Sequence, residues 1–370
     1  MPVTIQMPRV QFDFGAVALL PAELAALGIE RPLFVTDKGL VQAGVFAMVR
    51  RAMPAAADLA VFDDIPENPT VAGVERAADA YRANGCDGLV AVGGGSVIDS
   101  AKAVAVVVTH EGGIEEFFGR PDKIGHLTAP IVAVPTTAGT GSEASRGAGI
   151  HKDAKSRGHG INSTYIVPKV AICDPELTYT LPPRLTAGTG MDALSHALEN
   201  FFAKAGNPIG DAIALDGIAR VCRHIDRAVA APQDREARAN MMWAALQAMM
   251  CGKGLGPAHA LANTFGDQGL HHGMMVTISL PAVLRRYEAR YPDKTSQLAA
   301  AMGVAGAKPA DAVAAMNERL GIPASLRRLG YKGGDAAEMA EDAHRSFFNH
   351  TAPYHPSAAE YRELIEECLG

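Results

Sequence analysis

The sequence predicts an α/β N-terminal domain with a parallel, Rossmann-like sheet over residues 1–180, followed by an all-helical C-terminal domain over 181–370. Three observations predict it. Through about residue 180, short apolar runs alternate with amphipathic stretches, the texture of parallel strands joined by crossover helices. Two of those runs end in glycine-rich loops, GGGS and TTAGTGS. From Pro182-Pro183 onward the chain turns to Ala-, Leu- and Met-rich segments at helical spacing, with few β-branched runs. At 370 residues the chain is also too long for one ordinary core and fits two domains.

The N-terminal elements follow in order. PLFVTDKG reads as a strand with Asp37 at its end, VQAGVFAMVRRAM as an amphipathic helix, ADLAVFDD as a second strand and VAGVERAADAYRANG as a second helix. DGLVAVGGG is then a strand running into Gly93-Gly94-Gly95, and SVIDSAKAVAVVVTH a helix opened by Ser96, with Asp99 completing a capping box. Glycines without Cβ let a diphosphate approach the backbone, and the N–H groups and dipole of the helix start favour its charge. Ile98 occupies the third glycine position of the G-x-G-x-x-G fingerprint, and the loop is not a Walker A either. Taken alone, GGGS reads as readily as a tight structural turn as it does as a ligand site. The next strand, IVAVPTT, delivers Thr136, Thr137, Gly139, Thr140 and Gly141 as hydroxyl and backbone donors. Two such loops at successive strand ends define one crevice, where open α/β sheets bind ligands. Asp37 there either accepts from a ribose hydroxyl and repels a 2′-phosphate, favouring NAD over NADP, or simply caps the following helix.

In the second half, GMDALSHALENFF, IGDAIALDGIARVCRHIDRAVA, REARANMMWAALQAMM and AAEYRELIEECL read as helices, with Met241, Met242, Met249 and Met250 as core packing. Asp192 and His196 stand one turn apart and project from one helix face. His259 in GLGPAHALAN and His272 in GLHHG follow at loop-spanning distance. One carboxylate and three neutral imidazoles form a four-ligand set that suits Fe(II) or Zn(II) rather than Ca(II) or Mg(II). Two alternatives stand beside it. Thr189-Gly190-Met191-Asp192 is itself a capping box, in which Asp192 satisfies backbone donors at a helix start. His271 rivals its neighbour His272 as the fourth ligand.

Composition narrows the function classes. A formal charge of −6 leaves no basic stripe to neutralise a phosphate backbone, which speaks against nucleic acid as a partner. The five cysteines are odd in number, scattered and never in a CxxC pair, so they read as small buried hydrophobes in a reducing cytoplasm. MPVTIQMPRVQFDFG lacks a basic segment followed by an apolar core, and no apolar run reaches the ~18 residues of a membrane span.

The assembled motifs VTDKGLVQAGV, GGGSVIDSAKAVA, PTTAGTGSEAS, CDPELTYTLPP, TAGTGMDALSHALENF and GLGPAHALAN, in this order, resemble the iron-containing (group III) alcohol dehydrogenases over most of the chain. VQFDFGAV, VTDKG and GSEASRG are similar to its 4-hydroxybutyrate dehydrogenase branch. The resemblance implies a dehydroquinate synthase-like architecture, with an N-terminal dinucleotide domain, a helical metal-binding domain and the active site in the cleft between them. By motif match, Asp192, His196, His259 and His272 hold the metal and carry catalysis. Gly94, Gly95 and Ser96, with Asp99 on the same helix, serve the pyrophosphate of NAD, and Thr136, Thr137 and Thr140 other parts of it. The family also implies a homodimer and a small alcohol or aldehyde substrate, here an ω-hydroxy acid and its semialdehyde. Arg146 either clamps the substrate carboxylate with its planar fork or forms an ordinary ion pair.

Some positions depart from the family pattern. Relatives read His-Ala-Leu-Ala-His where this chain has His259-Ala260-Leu261-Ala262-Asn263, and Asn263 cannot shuttle a proton. The interval from His259 to His272 is one residue shorter. A lysine common upstream of the strand leading to CDPEL is absent, with Arg157, Gly158 and His159 in that region, and Thr351-Ala352-Pro353 stands for Thr-Asn-Pro. The implied activity is NAD(H)-dependent, metal-dependent alcohol oxidation or aldehyde reduction. Its competitors are a metal-dependent lyase or cyclase of the dehydroquinate synthase kind, and a nucleotide-binding protein that has lost its proton relay.

Overall fold

The computed structural model of the chain describes residues 6–55, 57–153 and 155–370; the first five residues of the N-terminal expectation lie outside them. The described chain forms two compact units, Gln6–Thr137 with Gly141–Leu181, and Ala138–Thr140 with Pro182–Gly370.

The first unit contains strands β1 (Arg9–Phe12), β2 (Pro32–Val35), β3 (Ala60–Phe62), β4 (Gly88–Gly93), β5 (Ile131–Pro135), β6 (Gly147–His151), β7 (Gly158–Asn162) and β8 (Val170–Cys173). Its helices are α1 (Leu20–Leu27), α2 (Lys38–Gln42), α3 (Val45–Ala52), α4 (Val71–Ala83) and α5 (Gly95–Val107). Among the described residues, six strands form one parallel sheet in the order β1-β8-β5-β4-β2-β3. The pleat sorts the apolar runs onto two faces. Leu33, Val35, Leu89, Ala91, Ile131 and Ala133 pack with Val74 and Ala77 of α4 and Val97, Ala101 and Val104 of α5. Phe34, Val90, Val92, Val132 and Val134 pack with Leu20 and Leu24 of α1 and Val45 and Val49 of α3. Helices on both faces are why these strands read as unbroken apolar runs. The α/β fold class is as the sequence predicts.

Some local details differ. VQAGVFAMVRRAM is not one helix, because Gly44 adopts φ 77° and separates α2 from α3; that left-handed geometry suits glycine best. β1 and β8 extend the sheet beyond the runs read from the sequence. β6 and β7 make a separate antiparallel hairpin whose glycine-rich strands, GAGIH and GHGIN, carry little apolar signal. The Ser96–Asp99 capping box does not form. α5 starts at Gly95 with Gly94 as an extended N-cap and no side-chain cap bond, so Ser96 is already helical.

Asp99 instead belongs to a buried polar knot that ties the second glycine loop to α5. It accepts from the Ser142 hydroxyl and from the Gly149 N–H at 2.9 Å. Lys102, fully buried, donates to Ser142 Oγ (2.9 Å), Ser145 Oγ (2.8 Å), Ser145 O (3.0 Å) and Gly147 O (2.8 Å), with Asp99 Oδ1 at 3.8 Å. Burial, the largest influence on each, pushes Lys102 down to about 8 and the adjacent Glu143 carboxyl up to about 7.

The second unit holds α6 (Pro183–Phe202), α7 (Pro208–Ala230), α8 (Arg235–Met250), α9 (Pro257–Thr264), α10 (His272–Arg290), α11 (Pro292–Ala301), α12 (Pro309–Arg319), α13 (Leu326–Leu329), α14 (Ala336–Arg345) and α15 (Ala358–Leu369). No strand occurs among its described residues. Proline at or next to the first position opens α6, α7, α9, α11 and α12, where its missing N–H costs nothing. Met241 and Met242 are core residues, and Met249 and Met250 are half-buried. All five cysteines are unpaired thiols. No helix among the described residues is long and apolar enough to cross a membrane.

Glu143 generates a pH test. The folded chain holds its proton up to about pH 7, whereas a free carboxyl of this type releases it near 4.5. The associated stability is therefore complete below the unfolded value and is lost as pH rises through about 7. Glu143→Gln, which cannot ionise, is expected to gain stability relative to wild type between pH 5 and pH 8. Urea midpoints at the two pH values measure this, and an unchanged difference would contradict it.

Candidate metal centre and dinucleotide loops

α6 runs unbroken from Pro183 to Phe202, and every residue from Thr186 to Phe202 is buried. The Thr189–Asp192 capping box is therefore ruled out, since both residues are mid-helix. Thr189 Oγ1 donates back to Leu185 O at 2.8 Å. Glycines bring the neighbouring helices in close. A Cβ on Gly190 would lie 2.7 Å from Met241 Cε and 2.9 Å from Ile225 Cδ1, and one on Gly188 would lie 2.8 Å from Met274 Cε. Gly273 seats the start of α10 against α6, where a Cβ would meet Gly188 O at 2.7 Å.

On this buried helix Asp192 is 2% exposed and His196 5%, and His259 enters from α9 at 1%. One ligand atom from each lies within 4.8 Å of the other two. Asp192 Oδ2 is 3.9 Å from His196 Nδ1, and Asp192 Oδ1 is 3.9 Å from His259 Nε2. The two imidazoles stack with centroids 4.6 Å apart. Asp192 Oδ1, His196 Nδ1 and His259 Nε2 are all buried and have no hydrogen-bond partner. Leaving such an atom unsatisfied costs about 1–3 kcal/mol. Three of them facing one another fit a cation bound by carboxylate and imidazole.

The electrostatics agree with that donor set. Burial is the largest single influence on Asp192 and pushes its carboxyl up, but His196, His272, His259 and His271 together outweigh it and hold it below its usual value. Burial lowers His196, which favours the neutral imidazole a metal needs. His272 opens α10 and is exposed at its surface. Desolvation pushes its imidazole down to about 4, against the pull of Asp192. Its ring centroid is 5.6 Å from that of His259, outside the tight trio. His271 is the N-cap of α10, with Nδ1 accepting from the Met274 N–H at 3.4 Å.

Glu199, two turns beyond Asp192, is a residue that sequence reading did not single out. It is 1% exposed, and its carboxylate receives His259 Nδ1 at 2.6 Å. Its only sequence signal is position, since residues 192, 196 and 199 share one helix face. Asn263 follows His259 by one turn of α9 and is half-buried.

In the first unit, the two glycine loops meet. A Cβ on Gly94 would be 3.1 Å from Thr137 Cγ2, a tight contact that the glycine avoids. Gly95 begins α5 behind the uncapped Gly94, leaving first-turn N–H groups free of a side-chain cap. Ser96 donates its hydroxyl to Glu67 O, and Asp99 is engaged in the Lys102 knot. Thr136 is buried, its N–H on Gly93 O at 3.1 Å, whereas Thr137 and Thr140 are half-buried. Asp37 caps α2 by accepting from the Leu40 N–H at 2.9 Å. Arg146 is exposed and forms no ion pair among the described residues. The loop tip Ala138–Thr140 belongs to the helical unit, where a Cβ on Gly139 would lie 2.6 Å from Thr189 Cβ. Gly139 therefore serves close packing as well as loop geometry.

The comparisons with known proteins point the same way. Residues 8–175 match the family described as iron-containing alcohol dehydrogenase, and residues 186–369 match the C-terminal part of the Fe-containing alcohol dehydrogenase family. The chain is 46% identical to a 4-hydroxybutyrate dehydrogenase of Cupriavidus necator, covering 98% of each. Its fold is similar to a crystal structure of 1,3-propanediol oxidoreductase, with TM-score 0.92, 32% identity and full coverage of both chains. It is also similar to sulfoacetaldehyde reductase from Bifidobacterium kashiwanohense in complex with NAD+, with TM-score 0.90, 29% identity and coverage of 100% of this chain and 99% of that one.

The three unpartnered atoms predict a binding result. Titration of metal-stripped protein with Co(II) or Zn(II) is expected to saturate at one ion per chain. Asp192→Ala is expected to weaken binding at least 100-fold while far-UV circular dichroism stays unchanged. Wild-type affinity in that variant would refute the site.

Proposed function

Because the chain belongs to the iron-containing alcohol dehydrogenase family, we propose that it interconverts a small primary alcohol and its aldehyde with NAD(H) and a divalent ion. The observation that carries this reading is the convergence of Asp192, His196 and His259 with their ligand atoms unpartnered. His272 is proposed as the fourth ligand, because His271 already spends Nδ1 capping α10. Fe(II) follows from the family and suits the donor set, as does Zn(II).

The ion supplies Lewis-acid polarisation of the substrate oxygen, and the nicotinamide accepts or returns the hydride. The chain supplies the rest. Gly94, Gly95 and Ser96 offer the start of α5 to the pyrophosphate. Thr136, Thr137 and Thr140 offer hydroxyl and backbone groups to the remainder of the dinucleotide. Asp37 spends one oxygen on its helix cap, and we assign the carboxylate to the adenosine ribose, which favours NAD over NADP. Asn263 has no titratable group, so no proton is held at that position and release passes to water.

The substrate proposal is an ω-hydroxy acid and its semialdehyde. It rests on the similarity to 4-hydroxybutyrate dehydrogenase and on Arg146, whose planar fork is uncommitted to any ion pair among the described residues and matches a carboxylate. An aromatic wall supports a short methylene chain. Phe348 lies 5.7 Å from His259, ring to ring, and Phe347 lies tilted against Phe348, centroids 4.1 Å apart, while 52% exposed. A cytoplasmic homodimer completes the proposal, on the family resemblance and the unpaired cysteines.

A coupled screen with NADH and NADPH against short aldehydes, semialdehydes and keto acids, with Fe(II), Zn(II) or Mn(II) supplied, tests the activity. Net NADH oxidation by a C4 semialdehyde is expected, with Asp192→Ala and His259→Ala folded but inactive. No turnover with any metal would refute the reading. For the wall, Phe348→Ala is expected to lower kcat/KM for the C4 substrate about 10-fold or more, the worth of an apolar contact of 1–3 kcal/mol. Its metal content should remain that of wild type; an equal loss on every aldehyde would argue against a wall.

A further inference from the structure

We infer that Glu199 is a positioning residue that fixes the tautomer of His259 and so presents its Nε2 lone pair to the ion. The inference rests on the reading of Asp192, His196 and His259 as ligands, and adds a second layer to that site.

Glu199 sits on the same face of α6 as Asp192 and His196, wholly inside the protein. Three donors converge on its carboxylate. Oε2 accepts from His259 Nδ1 at 2.6 Å and from the Gly256 N–H at 2.9 Å, and Oε1 accepts from the Ala258 N–H at 2.7 Å. A neutral imidazole carries one N–H, and a carboxylate that already receives two backbone donors takes the third bond as an acceptor. The His259 proton therefore stays on Nδ1, and Nε2 is left with a lone pair. That nitrogen is the one with no partner, 3.9 Å from Asp192 Oδ1. A carboxylate behind a ligating histidine also restrains ring rotation and raises its basicity, and losing such a partner typically costs 10–100-fold in metal affinity.

The loop before α9 is shaped around this contact. Gly256 is the N-cap of α9, and a Cβ there would stand 3.0 Å from Tyr287 Oη and 3.1 Å from Glu199 Oε1. Gly254 adopts φ 120° and lies so close to Thr351 that a Cβ would be 2.5 Å from its side chain. The Thr351 hydroxyl is itself anchored on Leu255 O at 2.6 Å. Both glycines of GLGPAH thus have a steric reason, and the second has it through Tyr287 and Glu199 together. The competing account is that Glu199 only satisfies the first N–H groups of α9, an anion at a helix start. It predicts lost stability with no effect on the imidazole.

Two measurements separate the accounts. In metal-free wild-type protein at mildly alkaline pH, long-range proton–nitrogen correlation of the imidazoles reads the tautomer directly and needs no variant. His259 protonated on Nδ1 is expected; protonation on Nε2 overturns the proposal. The second measurement is chelator competition for Co(II), with the visible d–d spectrum of the bound ion. Glu199→Gln is expected to weaken Co(II) about 10–100-fold and alter the spectrum. Gly256→Ala, which crowds the carboxylate together with Tyr287 Oη, should shift affinity the same way by less. Glu199→Gln that loses thermal stability but binds Co(II) with wild-type affinity and spectrum overturns the proposal in favour of the cap. A wild type that takes up no Co(II) refutes the metal reading itself, whereas loss confined to the variants leaves that reading intact.

Discussion

A buried polar atom without a partner is the constraint on which the helical unit turns. Asp192, His196 and His259 each carry one such atom, and the three face one another. In an ordinary core the burden, about 1–3 kcal/mol per atom, would be removed by an apolar side chain. Here it sits among closely packed helices. A Cβ at Gly273 would collide with the backbone of Gly188, those at Gly188 and Gly190 would press on Met274, Met241 and Ile225, and α6 is buried along nearly its whole length. Stability surrendered at the trio is what gives a cation something to bind.

The N-terminal unit meets the opposite need. Its parallel sheet buries both faces, so its loops at the strand ends remain the places where backbone donors stay open. Those loops are held by polar groups that are satisfied. Lys102 has four acceptors and Asp99 two hydrogen-bond donors, and together they fix Ser142, Ser145 and Gly149 relative to α5. Asp99, legible from the sequence as a helix cap, is therefore structural in its bonding. Glu143 in the same knot is retained at the cost of burying a carboxyl, which its raised pKa expresses.

Much of this was legible in the chain. The alternation of apolar runs gave the α/β half because a strand covered on both faces has no polar side to show. The Asp192–His196 spacing gave one helix face because that periodicity is intrinsic to the backbone. Other features were not legible, for definite reasons. The hairpin β6–β7 has too few apolar residues to register as strands. Both capping boxes were matched by residue type alone, yet α6 begins at Pro183 and α5 at Gly95, so neither Thr189 nor Ser96 caps its helix. Gly44 splits a stretch whose apolar period continues across it.

What the sequence determined by itself was the kind of residues available: one carboxylate and several imidazoles in a glycine-rich, apolar setting, and two glycine-rich loops at strand ends. Those are properties of residue type and local spacing. Only the tertiary structure decided which atoms converge. It spent His271 Nδ1 on a helix cap, placed His272 outside the tight trio, and brought Glu199 behind His259 across a gap of 60 residues. A hydrogen bond of 2.6 Å between residues so distant along the chain leaves no local pattern, because it depends on how α6 and α9 pack and not on either helix alone.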